Sequence, residues 1–245
     1  MITIDLNSDL GEEVGDDGAM FEIVTSANIA CGFHAGSDAT MAAAASMARA
    51  NQVNLGAHPS YRDREGFGRR DQVINVDTLR LDIFEQVVAL STAAELADAR
   101  VRYLKPHGAL YNRIAIDPVQ ADAVALVARD TTLPILGLAG TSIHKAAERY
   151  GVQFFREAFV DRAYQSDGTL VPRTAAGAVL TDPIAMAARA VRMVTGGEVE
   201  AVDGTMLRIE LDSLCVHGDT PGAVAMAQEV RKQLEAEGIE IRPFV

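Results

Sequence analysis

Seven short apolar runs, alternating with segments of helical periodicity, constrain this chain more than any other feature. The runs cover Ile2–Asn7, Ser26–Cys31, Val53–His58, Arg102–His107, Pro134–Leu138, Val152–Glu157 and Leu211–His217. Helical patterns fall between them at Asp38–Asn51, Asp77–Ala99, Asp117–Arg129, Ser142–Tyr150, Pro183–Val194 and Pro221–Glu237. This alternation predicts βα units and a parallel sheet. Asp77, Asp117 and Thr220 read as N-caps, with Pro118, Pro183 and Pro221 near first-turn positions. Periodicity alone leaves a closed barrel and an open doubly wound sheet both standing. No Gly-Lys pair and no G-x-G-x-x-G after the first run occur, which disfavours a nucleotide-binding open sheet. A length of 245 residues suits one domain, 1–245, and no linker, repeat or low-complexity stretch divides it.

Composition narrows the function classes. Lys and Arg total 22 against 34 Asp and Glu, a formal charge of −12, which argues against nucleic acid or an anionic membrane as partner and leaves a small substrate. With no Trp and few aromatics, the core must come from Ala, Val, Leu and Ile. Cys31 and Cys215 lie inside apolar runs without metal or disulfide spacing, as buried thiols of a cytoplasmic protein would. Acidic residues stand where a signal peptide needs basic ones, and no run reaches the length of a membrane span, so the expected location is the cytosol.

Four of the five histidines, His34, His58, His107 and His217, sit just after such a run. In a parallel α/β fold the carboxyl ends of the strands face one mouth, so this repetition predicts one converging site. Any one of them alone would more often be a satisfied core residue. Alternation places Asp5 and Asn7 together on one strand face, inward in a barrel or solvated on an edge strand. It also puts Lys105 and His107 on one face, where a buried lysine needs a carboxylate or anionic ligand; the rival is a lysine at the rim, reaching water along its stem. The stretch Ser60–Arg70, with Tyr61, Arg69 and Arg70, reads as a lid or substrate loop, or as an ordinary flexible connection. Glu157 and Asp161 lie near Arg162, Tyr164 and Arg173, an arrangement suited to divided acid and base roles or to structural ion pairs. His217 and Asp219 precede a Pro-started helix whose free N–H groups favour an anion. His144, inside a helix, reads as structural. His34, His58, His107, His217, Asp5 and Asp219 would together suit zinc or a harder divalent ion, but neither H-E-x-x-H nor tight Cys/His spacing is present, and a metal stays open.

The blocks IDLNSDLGE, SANIACGFHAG, GAHPSYRDREGFGRR, KPHGALYN, FVDRAY with DGTLVPR, and CVHGDTPGA resemble, in that order, those of the LamB/YcsF family, known as the A component of bacterial 5-oxoprolinase. The resemblance runs from Met1 through the final helix. It implies a distorted seven-stranded TIM-like (β/α) barrel of the glycoside hydrolase/deacetylase type. It further implies ATP-dependent opening of 5-oxo-L-proline to L-glutamate, with partner subunits B and C. Asp5, Asn7, His34, His58, Lys105, His107, Glu157, Asp161, Arg162 and His217 match the family pattern. Ser37 followed by Asp38 departs from the usual HAGD, so no role passes to that aspartate, and Val160 replaces a usual alanine. Because the chain carries no ATP motif, the simplest division gives ATP activation to the partners and lactam binding or opening to this barrel. Lys105, Arg162 and a histidine would then stabilise a carboxylate or oxyanion, while Asp5, Glu157 or Asp161 would activate water. Two rivals remain: a stand-alone metal-dependent hydrolase or deacetylase, and a non-catalytic oxoproline-binding subunit.

Overall fold

The computed structural model describes residues 2–245. Seven parallel strands close on themselves: β1 (Thr3–Leu10), β2 (Ser26–Ala30), β3 (Asn54–His58), β4 (Val101–Leu104), β5 (Ile135–Leu138), β6 (Phe154–Phe159) and β9 (Ser213–Cys215). Closure comes from β9, which pairs in parallel with β6 on one side and β1 on the other. The barrel expectation is therefore met, and the open-sheet alternative is excluded. Between β6 and β9 the chain adds an antiparallel hairpin, β7 (Glu198–Glu200) with β8 (Met206–Arg208), and a short β10 (Glu240–Ile241) pairs with the start of β1.

Helices α2 (Asp38–Asn51), α3 (Val76–Leu96), α5 (Pro118–Asp130), α6 (Ser142–Tyr150), α7 (Pro183–Gly196) and α8 (Ala223–Ala236) fall where the periodicity places them. Two further helices carry no strong pattern of their own: α1 (Asp17–Phe21), and α4 (Gly108–Ile116), which starts directly after His107. Asp117 and Asp182 cap α5 and α7 through side-chain oxygens that accept two backbone N–H groups each. Asn75, not Asp77, caps α3. Helix α8 starts only after Gly222, whose φ of +82° breaks the run, so Thr220 and Pro221 lie outside it. The helix expected to start at Pro221 beside Asp219 therefore begins two residues later, at Ala223.

Along the strands the apolar set faces the helices and the polar set faces inward. Ile4, Leu6, Ala27, Ile29, Leu55, Ala57, Leu104 and Ile135 are buried in the main apolar core. Inside the barrel, Asn28 Nδ2 donates to Asn7 Oδ1 and Asp9 Oδ1, both at 2.8 Å, and Tyr103 Oη donates to Asn28 Oδ1 at 2.6 Å. Gly56 makes room for that tyrosine: a Cβ there would lie 2.3 Å from its ring carbons. Below it, the Phe244 ring packs on Tyr103 and Phe155 at centroid distances of 4.9 and 4.6 Å. Burying unpaired polar groups is costly, so this interior holds only because nearly every member finds a partner. Among the described residues, no helix is long and apolar enough to cross a membrane.

Candidate active site

The carboxyl ends of β1 to β4 build one wall of the mouth. Glu12 follows β1, His34 follows β2, His58 ends β3, and His107 follows β4. All four side chains are buried. Glu12 Oε1 lies 3.2 Å from His34 Nε2, 3.2 Å from His107 Nδ1 and 3.9 Å from His58 Nε2. His58 Nε2 and His107 Nδ1 are 2.9 Å apart, and the rings of His34 and His107 stack with centroids 3.8 Å apart. Burial pushes His34 and His107 well below the usual imidazole range, helped by the neighbouring rings, and it pushes Glu12 above the usual carboxylate range. The tight packing needs Gly68, whose φ is +66° and whose absent Cβ would sit 2.7 Å from the His107 ring.

Strands β6 and β9 build the facing wall. Asp161 Oδ2 accepts from His217 Nδ1 at 2.7 Å, and His217 Nε2 points toward Asp9 Oδ2 at 3.8 Å. Burial opposes charge on His217, but the Asp161 and Asp9 carboxylates outweigh it and raise its pKa above the ordinary value. Asp161 is held low despite burial, chiefly by His217. Between the walls stands Lys105, which is 1% exposed. Its Nζ donates to Asp9 Oδ1 at 2.9 Å and Asn7 Oδ1 at 3.2 Å, approaches Cys215 Sγ at 3.3 Å and forms an ion pair with Glu157 Oε1 at 2.7 Å. Burial alone would lower its pKa; Asp9, Cys215 and Glu157 instead hold it well above the usual lysine range. Tyr111 Oη donates to the other Glu157 oxygen at 2.8 Å. Lys105 is thus a buried cation with carboxylate partners, and the rim reading is excluded.

Between the walls lies a cavity of about 230 Å³. His58, Lys105, His107, His217 and Asp9 face it from below, and Arg69, Arg162 and Arg173 face it from the loops. Arg69 Nη2 and Arg173 Nη2 donate to the two oxygens of Asp219, at 2.6 and 2.5 Å, so this carboxylate ties the loop after β3 to the loop after β6. Arg162 is buried and donates to the Val171 carbonyl at 2.7 Å.

Not every expected residue reaches the cavity. Asp5 lies deeper in the barrel, where Ser26, Thr25 and Ser213 donate to its carboxyl group; burial pushes its pKa up to about 6 despite these bonds. Asn7 supports Lys105 from beneath rather than lining the space. Glu157 is likewise behind Lys105, and His34 stands behind His58 and His107. Tyr61 is fully buried, with its hydroxyl donating to Gln120, and Arg70 is turned to Asp63 and Glu65 within its own loop. Neither is placed to touch a ligand in the cavity. His144 stacks on Phe154 away from the mouth, as expected of a structural residue. Asp9, Glu12 and Tyr111 take part in the site without having been singled out by strand-end position. The alternation Asp5, Asn7, Asp9 marks Asp9 as inward, whereas Glu12 follows a turn at Gly11 and carries no periodic signal.

Among the described residues, two groups bring possible cation-binding atoms together: Glu12 with His34, His58 and His107, and Asp9 with Cys215 and His217. The six residues expected to share a metal therefore divide. Asp5 and Asp219 join neither group, and His217 parts from the other histidines.

A parallel barrel with lysine, histidine and carboxylates converging at the carboxyl ends of its strands has the form of a barrel enzyme. The chain belongs to the LamB/YcsF family, whose profile matches residues 4–245. A protein of Pseudomonas syringae pv. tomato, named as the third A component of 5-oxoprolinase, is 50% identical over 251 aligned positions, covering 100% of this chain and 98% of its own. One from Mycobacterium leprae, also named as a 5-oxoprolinase A component, is 49% identical, with both chains covered completely. The crystal structure of a lactam utilization protein from Thermus thermophilus superposes with a TM-score of 0.93 at 40% identity, covering 98% of this chain and 99% of that one.

Proposed function

We propose that this chain, a single barrel domain, is the A component of a cytoplasmic 5-oxoprolinase. It binds 5-oxo-L-proline in the mouth cavity and opens the lactam to L-glutamate. The observation that carries the reading is one small cavity faced by a buried ammonium, three guanidinium groups and an Asp161–His217 dyad, in a protein of net charge −12. A local cationic lining within an acidic chain suits a small anion, and the size of the space suits a five-membered ring bearing a carboxylate. The names of full-length relatives point to the same substrate class.

In this reading Arg162 and Arg173, with Arg69 nearer the loops, take the substrate carboxylate. Lys105 faces the lactam oxygen, where charge develops as the carbonyl is attacked. Water adds to the lactam carbonyl carbon and the C–N bond breaks; His217, oriented by Asp161, takes a proton from that water and delivers it to the departing lactam nitrogen. Asp9 and Glu157 keep Lys105 charged and fixed; Asp5 supports the barrel interior and takes no part in the proton transfer. ATP is consumed by subunits B and C, which activate the stable amide before or during opening. The test is glutamate release from 5-oxoproline with ATP, using this chain alone, B and C alone, and the mixture. Activity confined to the mixture is expected. Strong turnover by this chain alone, with or without ATP, would overturn the division of labour and favour the stand-alone hydrolase.

A further inference from the structure

We propose that Asp219 is the positioning residue for the substrate carboxylate: it touches no ligand and clamps Arg69 and Arg173 side by side over the cavity. The inference rests on the oxoproline reading and deepens it. The first ground is what holds each guanidinium. Arg69 Nη2 and Arg173 Nη2 donate to the two oxygens of Asp219, and among the described residues the Nε and Nη1 groups of both arginines meet no protein acceptor. Solvent reaches 41% of the Arg69 side chain and 24% of the Arg173 side chain. Two long cations side by side repel each other, and each gains rotamer freedom by swinging away into water. One shared carboxylate opposes both effects. Arg162 needs no such help, because it is buried and donates to the Val171 and Ala178 carbonyls at 2.7 and 3.4 Å.

The second ground is where Asp219 stands. The three guanidiniums line the cavity, whereas Asp219 does not. It lies between β9 and α8, and the arginines it joins come from the loops after β3 and β6. Burial raises its pKa, but Arg173, His217 and Arg69 outweigh burial and hold it below the ordinary carboxylate value, which keeps the clamp charged at neutral pH. The backbone beside each arginine has its own anchor: Ala109 N donates to the Gly68 carbonyl at 2.9 Å, and Arg162 holds the Val171 carbonyl two residues before Arg173. Loss of Asp219 therefore releases the two side chains while leaving their loops in place. The uncommitted N–H groups are left for one ligand carboxylate, which arginine recognises in a planar, bidentate way. Lys105 and His217 keep their own partners, so the chemistry below is untouched.

Kinetics of the reconstituted complex with 5-oxoproline supply the test. Asp219→Asn, which keeps the shape and removes the charge, should raise KM roughly tenfold or more, with kcat within about threefold of wild type. Asp219→Glu should recover part of the loss. In Asp219→Ala, added acetate should fill the gap between the guanidiniums and lower KM again, while in wild type it should act only as a weak inhibitor. The lactam 2-pyrrolidinone, which lacks the carboxylate, should inhibit wild type and all three variants equally. With folding confirmed by circular dichroism, an unchanged KM in Asp219→Asn, or a fall in kcat alone, would overturn the proposal. Equal weakening of oxoproline and pyrrolidinone would overturn it too, by showing that Asp219 merely supports the mouth. A wild-type complex that releases no glutamate from oxoproline would remove the parent reading and this one with it; a working complex indifferent to Asp219 removes this one alone.

Discussion

The two walls of the mouth use the same residue at the same kind of position to opposite effect. His34, His58 and His107 stand after β2, at the end of β3 and after β4, with their outer nitrogens on neutral acceptors. His217 stands after β9 with its outer nitrogen on the Asp161 carboxylate. Burial depresses His34 and His107, whereas the carboxylates raise His217. Placement on the barrel does not decide what a histidine does; the group on its far nitrogen does. One wall packs three imidazoles round the buried Glu12 carboxyl group, and the other holds a single imidazole between two carboxylates.

Lys105, which joins the walls, should give the largest effect. Lys105→Met leaves Asp9 and Glu157 buried without their shared cation, and breaking such a pair typically costs about 3–5 kcal/mol. Urea unfolding should register that loss, and turnover of any folded fraction in the complex should fall by roughly a hundredfold or more. Partial rescue of stability is expected in Lys105→Met/Glu157→Gln. Full stability in the single variant would show that the two walls are not joined through this cation.

Asp161→Asn sharpens the contrast from the His217 side. A hydrogen bond to a charged partner contributes about 1.5–3 kcal/mol. Because the folded pKa of His217 is raised, its contribution is complete below the unfolded value near ~6.5 and is lost as pH rises through the folded value. Wild-type unfolding free energy should therefore carry a falling component above neutral pH that Asp161→Asn lacks. Identical pH profiles would remove the distinction between the walls.

Arg173→Met addresses the loops above both. It should raise KM for oxoproline roughly tenfold, about 1.4 kcal/mol of binding, with a smaller change in kcat. A change in kcat alone would move Arg173 from substrate binding to chemistry. Lys232→Met, on the solvent-facing side of α8, is the control: its side chain is exposed and its pair with Glu229 is at the surface, so neither melting temperature nor turnover should shift measurably.

The barrel and the convergence of His34, His58, Lys105, His107 and His217 are legible because period-two alternation and strand-end position are local signals. Other parts depend on closure of the ring and leave no local trace. Glu12 joins the histidines only because β1 to β4 bend round to one centre, and Asp219 becomes a tie only when the loops after β3 and β6 meet over the cavity. Tyr61, in an Arg- and Gly-rich loop, reads as part of a lid or substrate loop; its burial against Gln120 of α5 is a tertiary contact. Lys105→Met looks mild from strand alternation alone, since methionine keeps the stem, and becomes severe once two carboxylates are found on its ammonium. Helix α4 is hidden because Pro106 and Gly108 punctuate its start; Pro106 has no N–H to offer β5, while Lys105 and His107 go on donating to the Ala57 and Pro59 carbonyls on the β3 side.

The most direct test of the account is ATP-dependent glutamate release by the reconstituted complex carrying His217→Gln, beside wild type. The substitution removes the proton carrier while leaving Lys105 and the Glu12 wall in place. With folding confirmed by circular dichroism, turnover should fall by roughly 10²–10⁴-fold. A folded His217→Gln complex with near wild-type turnover would contradict the assignment of the chemistry to this wall.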